Sequence, residues 1–145
     1  MEKTRDQIPQ KTRMQLAADA LPSCNEYIDY SIIKIKEMTK IIQTGSKEEA
    51  SAAFVEFVDL VDLFIQLIDR IYFVFKKNNK TNVEVSDNFQ KLQIHLLSVM
   101  KALLQAREKG DTVMLCDLLE YELTDNLLQW KIKAIPSLKQ AANIT

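Results

Sequence analysis

The stretch 46–77, SKEEASAAFVEFVDLVDLFIQLIDRIYFVFKK, constrains what this chain can fold into more than any other part of it. Ser46 and Glu49 stand at capping-box spacing, in which two side chains satisfy backbone donors at a helix start. Successive helical residues turn by about 100°. On that wheel Glu48, Glu56, Asp59, Asp62, Gln66 and Asp69 crowd onto one narrow strip. The apolar side chains cover roughly 200° of the cylinder, whereas an ordinary surface helix needs a stripe of only about 100°. This helix therefore has to be covered on at least two sides.

The rest of the chain offers helices as that cover. Two Gly and three Pro among 145 residues leave little turn punctuation, which favours long helices over strands. Residues 1–20 are polar and mixed in charge, with Pro9, and predict an arm that is mobile or partly helical. Ser23 and Glu26 repeat the capping-box spacing, and Cys24, Ile28, Ser31, Ile35, Met38 and Ile42 share one helical face. That first helix is expected to end at Thr44-Gly45 with the glycine in a left-handed cap.

After the second helix, 46–77, the polar run KNNKTNVEVSD predicts a long loop, with the third helix starting at Ser86 or Asp87. Its apolar face is Phe89, Leu92, Leu96, Val99, Met100 and Leu103, and Arg107-Glu108-Lys109-Gly110 closes it. Asp111 is placed to cap a fourth helix over about 112–135, which Pro136 is expected to end. The tail 137–145 shows few anchors. Tight links at the first and third connections predict an all-α fold, an up-down-up-down antiparallel four-helix bundle over 21–136 with an N-terminal arm.

Catalysis and metal binding find no pattern here. His95 is the only histidine, and the residue three before it is Leu92, so the Glu-x-x-His pairs of a dinuclear bundle site are missing. Glu56, Asp59, Asp62 and Asp69 form the polar side of an otherwise apolar helix and read as a solvated face rather than a cation site. Glu120 and Glu122 flank Tyr121 and cannot lie side by side as an acid/base pair. Cys24 and Cys116 fall on apolar faces without metal-ligand spacing and read as reduced core residues. With no glycine-rich phosphate loop and no nucleophile signature, the expectation is no enzyme, no cofactor and no metal.

A formal net charge of −1, from 19 basic and 20 acidic residues, gives no surplus for nucleic acid. The opening residues MEKTRDQIPQKTR lack a signal-peptide apolar run, and Glu56, Asp59, Asp62 and Asp69 interrupt the most apolar helix. A cytoplasmic protein without a membrane span is expected.

One face of each helix would fill the core, and apolar residues remain. The fourth helix has a first face of Cys116, Leu119, Leu123, Leu127, Trp130 and Ala134, and a second of Met114, Leu118, Tyr121, Leu128 and Ile132. The second helix has two flanks, one of Leu60, Leu63, Leu67 and Val74, the other of Phe54, Val58, Ile65 and Tyr72. An apolar patch left open on a domain of this size marks a partner site.

Glu108-Lys109-Gly110-Asp111, followed by Leu115, Leu118, Leu119-Glu120-Tyr121 and Glu122, resembles the hairpin of the flagellar secretion chaperone FliS family, where a Glu-x-Gly-Gly turn enters a helix of the type Leu-x-x-Leu-Tyr-x-Tyr. The run from Tyr27 through Lys34, Gly45 and Glu49 to Asp59 and Leu67 is similar to the earlier hairpin of that family. Asp111 stands in place of the second glycine and Leu119 in place of the first tyrosine. The resemblance implies a non-catalytic chaperone or adaptor that clasps helical segments of a flagellar export subunit or of another flagellar chaperone. The residues expected to make that contact are Met114, Leu118, Tyr121 and Ile132 on the fourth helix, with Leu60, Leu63 and Leu67 on the second. The alternative is a homodimeric bundle whose spare flanks cover each other.

Overall fold

The computed structural model describes residues 11–143, and these are all-helical, with no strand among them. A short helix α1 (Arg13–Asp19) leads into α2 (Leu21–Thr44), α3 (Lys47–Lys77) and α4 (Val83–Glu108). A fourth long rod follows without interruption. It is composed of α5 (Thr112–Asp117), a π-helical turn π1 (Leu118–Leu123), α6 (Thr124–Gln129), a second π turn π2 (Trp130–Ala134) and α7 (Ile135–Asn143). No described helix is long and apolar enough to cross a membrane.

The helix starts follow local side-chain chemistry. Ser46 Oγ accepts from the Glu49 N–H at 3.1 Å, but Glu49 returns to the serine hydroxyl, which donates to its carboxylate at 3.3 Å, instead of to the Ser46 backbone. Asp111 caps α5 as expected, accepting from the Met114 N–H at 3.0 Å. A full capping box occurs where none was expected. Thr12 and Gln15 satisfy each other's backbone N–H at 3.1 and 2.8 Å and found α1 inside the predicted arm, whose residues 1–10 lie outside the described residues.

Several boundaries differ from the expectation. Ser23 and Glu26 do not cap α2, which begins at Leu21 with Pro22 in its first turn and no side-chain cap. Leu21 is fully buried, so core packing draws the helix three residues upstream. The loop after α3 is short, because Asn79 takes the left-handed conformation, φ 56°, and the Lys80 N–H returns to the Phe75 carbonyl at 2.9 Å. Asn82 then caps α4 through the Val85 N–H at 2.8 Å, which leaves Ser86 inside the helix.

The two glycines act differently. Gly110 has φ 70°, the left-handed conformation that a Cβ disfavours. Gly45 is extended, φ −91° and ψ 179°, not left-handed. A Cβ at Gly45 would lie 2.8 Å from the Ile41 carbonyl oxygen, so close approach of backbone is what requires glycine there. Gly110→Ala and Gly45→Ala should each lower stability by about 1–2 kcal/mol, read as a drop in urea midpoint at unchanged slope.

Pro136 does not end the fourth rod. An internal proline lacks a donor and crowds the carbonyl one turn back. The rod takes this up in the wider turn π2, where the Ile135 N–H reaches back to Trp130, and it continues through α7 with Ile135 and Leu138 buried. The π turns also keep one stripe inward. Leu115, Leu119, Leu123 and Leu127 are all buried at spacings of four. On a regular α-helix each such step overshoots a full turn by about 40°. A wider turn absorbs the extra residue and removes the drift.

The core centres on Trp130, which is fully buried. Its ring meets Phe64 of α3 edge-on at 5.8 Å and Phe89 of α4 edge-on at 5.0 Å. Phe89 in turn stacks on Tyr72 at 4.0 Å, and the Tyr72 and Ser86 hydroxyls are 2.6 Å apart. Further pairs tie the rods along their length. Arg107 bonds Ser51, Gln93 bonds Asp69, His95 meets Glu122 at 3.4 Å, and Lys131 meets Asp29 at 2.5 Å. Asp69 is held above its ordinary value by burial, against the opposing hydrogen bond from Gln93. A carboxyl raised by folding stabilises fully below its unfolded value and loses that contribution as pH rises through the folded one. Asp69→Asn, which can still accept from Gln93, should therefore raise stability slightly near neutral pH, by up to about 0.5 kcal/mol, and leave it unchanged in acid.

Candidate functional site: a groove between α2 and α3

The two flanks of α3 meet different neighbours. Phe54, Val58, Ile65 and Tyr72 turn into the packed interior. Phe54 is buried, Val58 and Ile65 are half-buried, and Tyr72 is held by Phe89 and Ser86. The other flank is divided. Leu67 and Val74 are half-buried against the core and do not line the groove beside α2. Leu60 is half-buried at that groove and Leu63 is 52% exposed, which leaves the flank open at these two.

Beside that open flank runs a groove of about 400 Å³. Its α3 wall carries Ala53, Glu56, Phe57, Asp59, Leu60 and Leu63. Its α2 wall carries Tyr30, Lys34, Glu37, Met38 and Ile41. Met38 and Phe57 are buried and make the floor, while Tyr30 and Leu63 stand on opposite rims, each about half exposed. The α2 residues 30, 34, 37 and 41 lie at spacings of four, three and four, so one helical stripe supplies the wall. In the sequence that stripe does not stand out, since its mix of tyrosine, charge and isoleucine is that of a solvent side.

Charge on the rim is uneven. The Lys34 ammonium donates to the Glu37 carboxylate at 3.1 Å and lies 5.3 Å from the Tyr30 ring. The Glu37 hydrogen bond, with Tyr30 second, raises Lys34 above its ordinary value. Glu56 and Asp59 are exposed and form no ion pair or hydrogen bond with any described residue.

The face expected on the fourth helix lies elsewhere. Met114, Tyr121 and Ile132 are exposed at 51%, 67% and 60%, whereas Leu118 is half-buried against the core. They span α5, π1 and π2, and none of them lines the α2–α3 groove, so the structure does not unite them with Leu60 and Leu63 into one surface. A larger hollow of about 520 Å³ lies where the turns 45–47 and 109–112 meet. Its helix N-termini are already capped by Ser46 and Asp111.

Among the described residues no group of three His, Cys, Asp or Glu is placed to hold a metal ion. Burial raises the Cys24 thiol to about 11, and burial with Glu120 and Asp117 nearby raises Cys116. Both thiols are free, buried and poor nucleophiles. His95 serves a structural network instead. Asn126, which is 1% exposed, accepts from the Trp130 indole at 3.0 Å and donates to the Leu92 carbonyl at 3.2 Å. Its amide nitrogen also lies 2.9 Å from His95 Nδ1. With the amide oxygen taken by an indole that can only donate, that histidine nitrogen is the acceptor.

The profile of the family described as Domain of unknown function (DUF8042) matches residues 19–133. The chain belongs to that family. The matched span runs from just before α2 into π2 and includes both walls of the groove. No curated protein and no solved structure matches the chain. Family membership therefore brings no activity with it.

Proposed function

We propose that this DUF8042 protein is a non-catalytic adaptor or chaperone that holds a helical segment of a partner protein in the α2–α3 groove. The observation that carries the reading is the open apolar flank of α3, where Leu60 and Leu63 border a groove floored by Met38 and Phe57. Helix-in-groove recognition needs such a trough, into which anchors at i, i+3 and i+4 of the partner can settle. The proposed architecture is the up-down-up-down antiparallel bundle. It is supported by the pairing of early with late positions in Ser51–Arg107 and Asp69–Gln93, and again in Leu92–Asn126 and His95–Glu122. The proposed setting is the cytoplasm.

The resemblance to the FliS family supplies the partner class, a flagellar export subunit or another flagellar chaperone. Purified flagellar subunits should bind the purified protein in a pull-down at low and moderate salt, and Leu60→Glu with Leu63→Glu should abolish capture while circular dichroism stays unchanged. Absence of binding to any flagellar subunit or chaperone would remove that partner class. Capture insensitive to the two leucine changes would move the site off the groove. A second reading, a homodimer closed through the fourth rod, is favoured by the exposed Met114, Tyr121 and Ile132. Sedimentation at several concentrations separates the two, since a tight dimer dispersed by Ile132→Glu belongs to the second reading alone.

A further inference from the structure

We infer that the occupant of the α2–α3 groove is a basic amphipathic helix, one that presents lysine or arginine beside its apolar anchors. This rests on the groove being a helix-binding site and adds the charge of what it binds. Three carboxylates, Glu37, Glu56 and Asp59, line the groove against one cation, Lys34. Lys34 is already engaged with Glu37 at 3.1 Å, which leaves the Glu56 and Asp59 charges uncompensated beside Leu60 and Leu63. An apolar helix settling on those leucines would strip water from both carboxylates, and an unpaired desolvated charge is costly. A cation on the partner removes that cost, whereas an acidic helix adds repulsion to it. Glu56 and Asp59 are three residues apart on one face, with Cβ atoms about 5–6 Å from each other, so cations one turn apart on the partner reach both. The preference is local, because the whole chain carries a formal net charge of only −1.

The test uses the full chain and two fluorescein-labelled peptides of roughly 18 residues, about five helical turns. They share leucines at i, i+3, i+4 and i+7, and the remaining positions are lysine in one peptide and glutamate in the other. By fluorescence anisotropy the Leu/Lys peptide should bind at least about ten-fold more tightly, and the gap should narrow as salt is raised. Glu56→Lys with Asp59→Lys should reverse the preference, while Glu84→Lys with Asp87→Lys on α4 should leave it in place. Equal affinities, or reversal by the α4 pair as well, would overturn the charge inference and leave the groove reading standing. If neither peptide binds, or if Leu63→Glu leaves binding unchanged, the groove reading falls and the inference with it. A dimer that forms through Leu63 and excludes both peptides would assign the groove to a second copy and overturn the inference.

Discussion

Trp130→Ala should destabilise the protein by about 3–5 kcal/mol, the range for removing a large buried aromatic side chain. Trp130 is fully buried and brings the fourth rod against Phe64 of α3 and Phe89 of α4 at once. Its removal opens a cavity between three long helices, and the stack of Phe89 on Tyr72 loses its backing. Edge-on aromatic pairs add roughly 0.5–1.5 kcal/mol beyond area burial. Trp130→Phe should therefore be milder, because it keeps the ring contacts and loses the indole hydrogen bond. Urea unfolding followed by circular dichroism checks both, since the chain has no second tryptophan to report by fluorescence. A cost below about 1 kcal/mol for the alanine variant would place the energetic centre of the core elsewhere.

Asn126→Leu should cost about 1–3 kcal/mol, although it places an apolar side chain at a buried position. Asn126 satisfies the Trp130 indole, the Leu92 carbonyl and His95 together. Leucine keeps roughly the volume and orphans the indole N–H inside the core, and a stranded buried donor carries its full desolvation penalty. The mechanism predicts non-additivity. In the Trp130→Phe background the donor is gone, and Asn126→Leu should cost less by about 1 kcal/mol or more. Equal costs in the two backgrounds would assign the effect to packing rather than to the network.

The sequence foretold best what depends on local geometry. The first face of the fourth helix, Cys116 through Ala134, is buried throughout, and the Ser46 and Asp111 caps and the Gly110 turn stand where spacing placed them. The misses are tertiary. Asn126 carries no local signal of burial, and its role follows from Trp130 and Leu92 being brought against it. The start of α2 at Leu21 and the passage of the fourth rod through Pro136 depend on buried Leu21, Ile135 and Leu138, whose burial no local pattern declares. The π turns show only in retrospect, as a leucine spacing of four. On α3 the two apolar flanks look alike in sequence, and the structure leaves Leu63 the more exposed beside α2. The opposite wall, from Tyr30 to Ile41, exists only through the packing of α2 beside α3, which no local pattern declares.

The most direct measurement of the central claim is a methyl NMR map of the protein titrated with the Leu/Lys helical peptide. If the α2–α3 groove is the docking site, the Met38, Ile41, Leu60 and Leu63 methyl signals should shift together, with one saturating curve, and those of Met114 and Ile132 should stay still. Shifts confined to Met114, Leu118 and Ile132, or scattered over the surface without saturation, would contradict it.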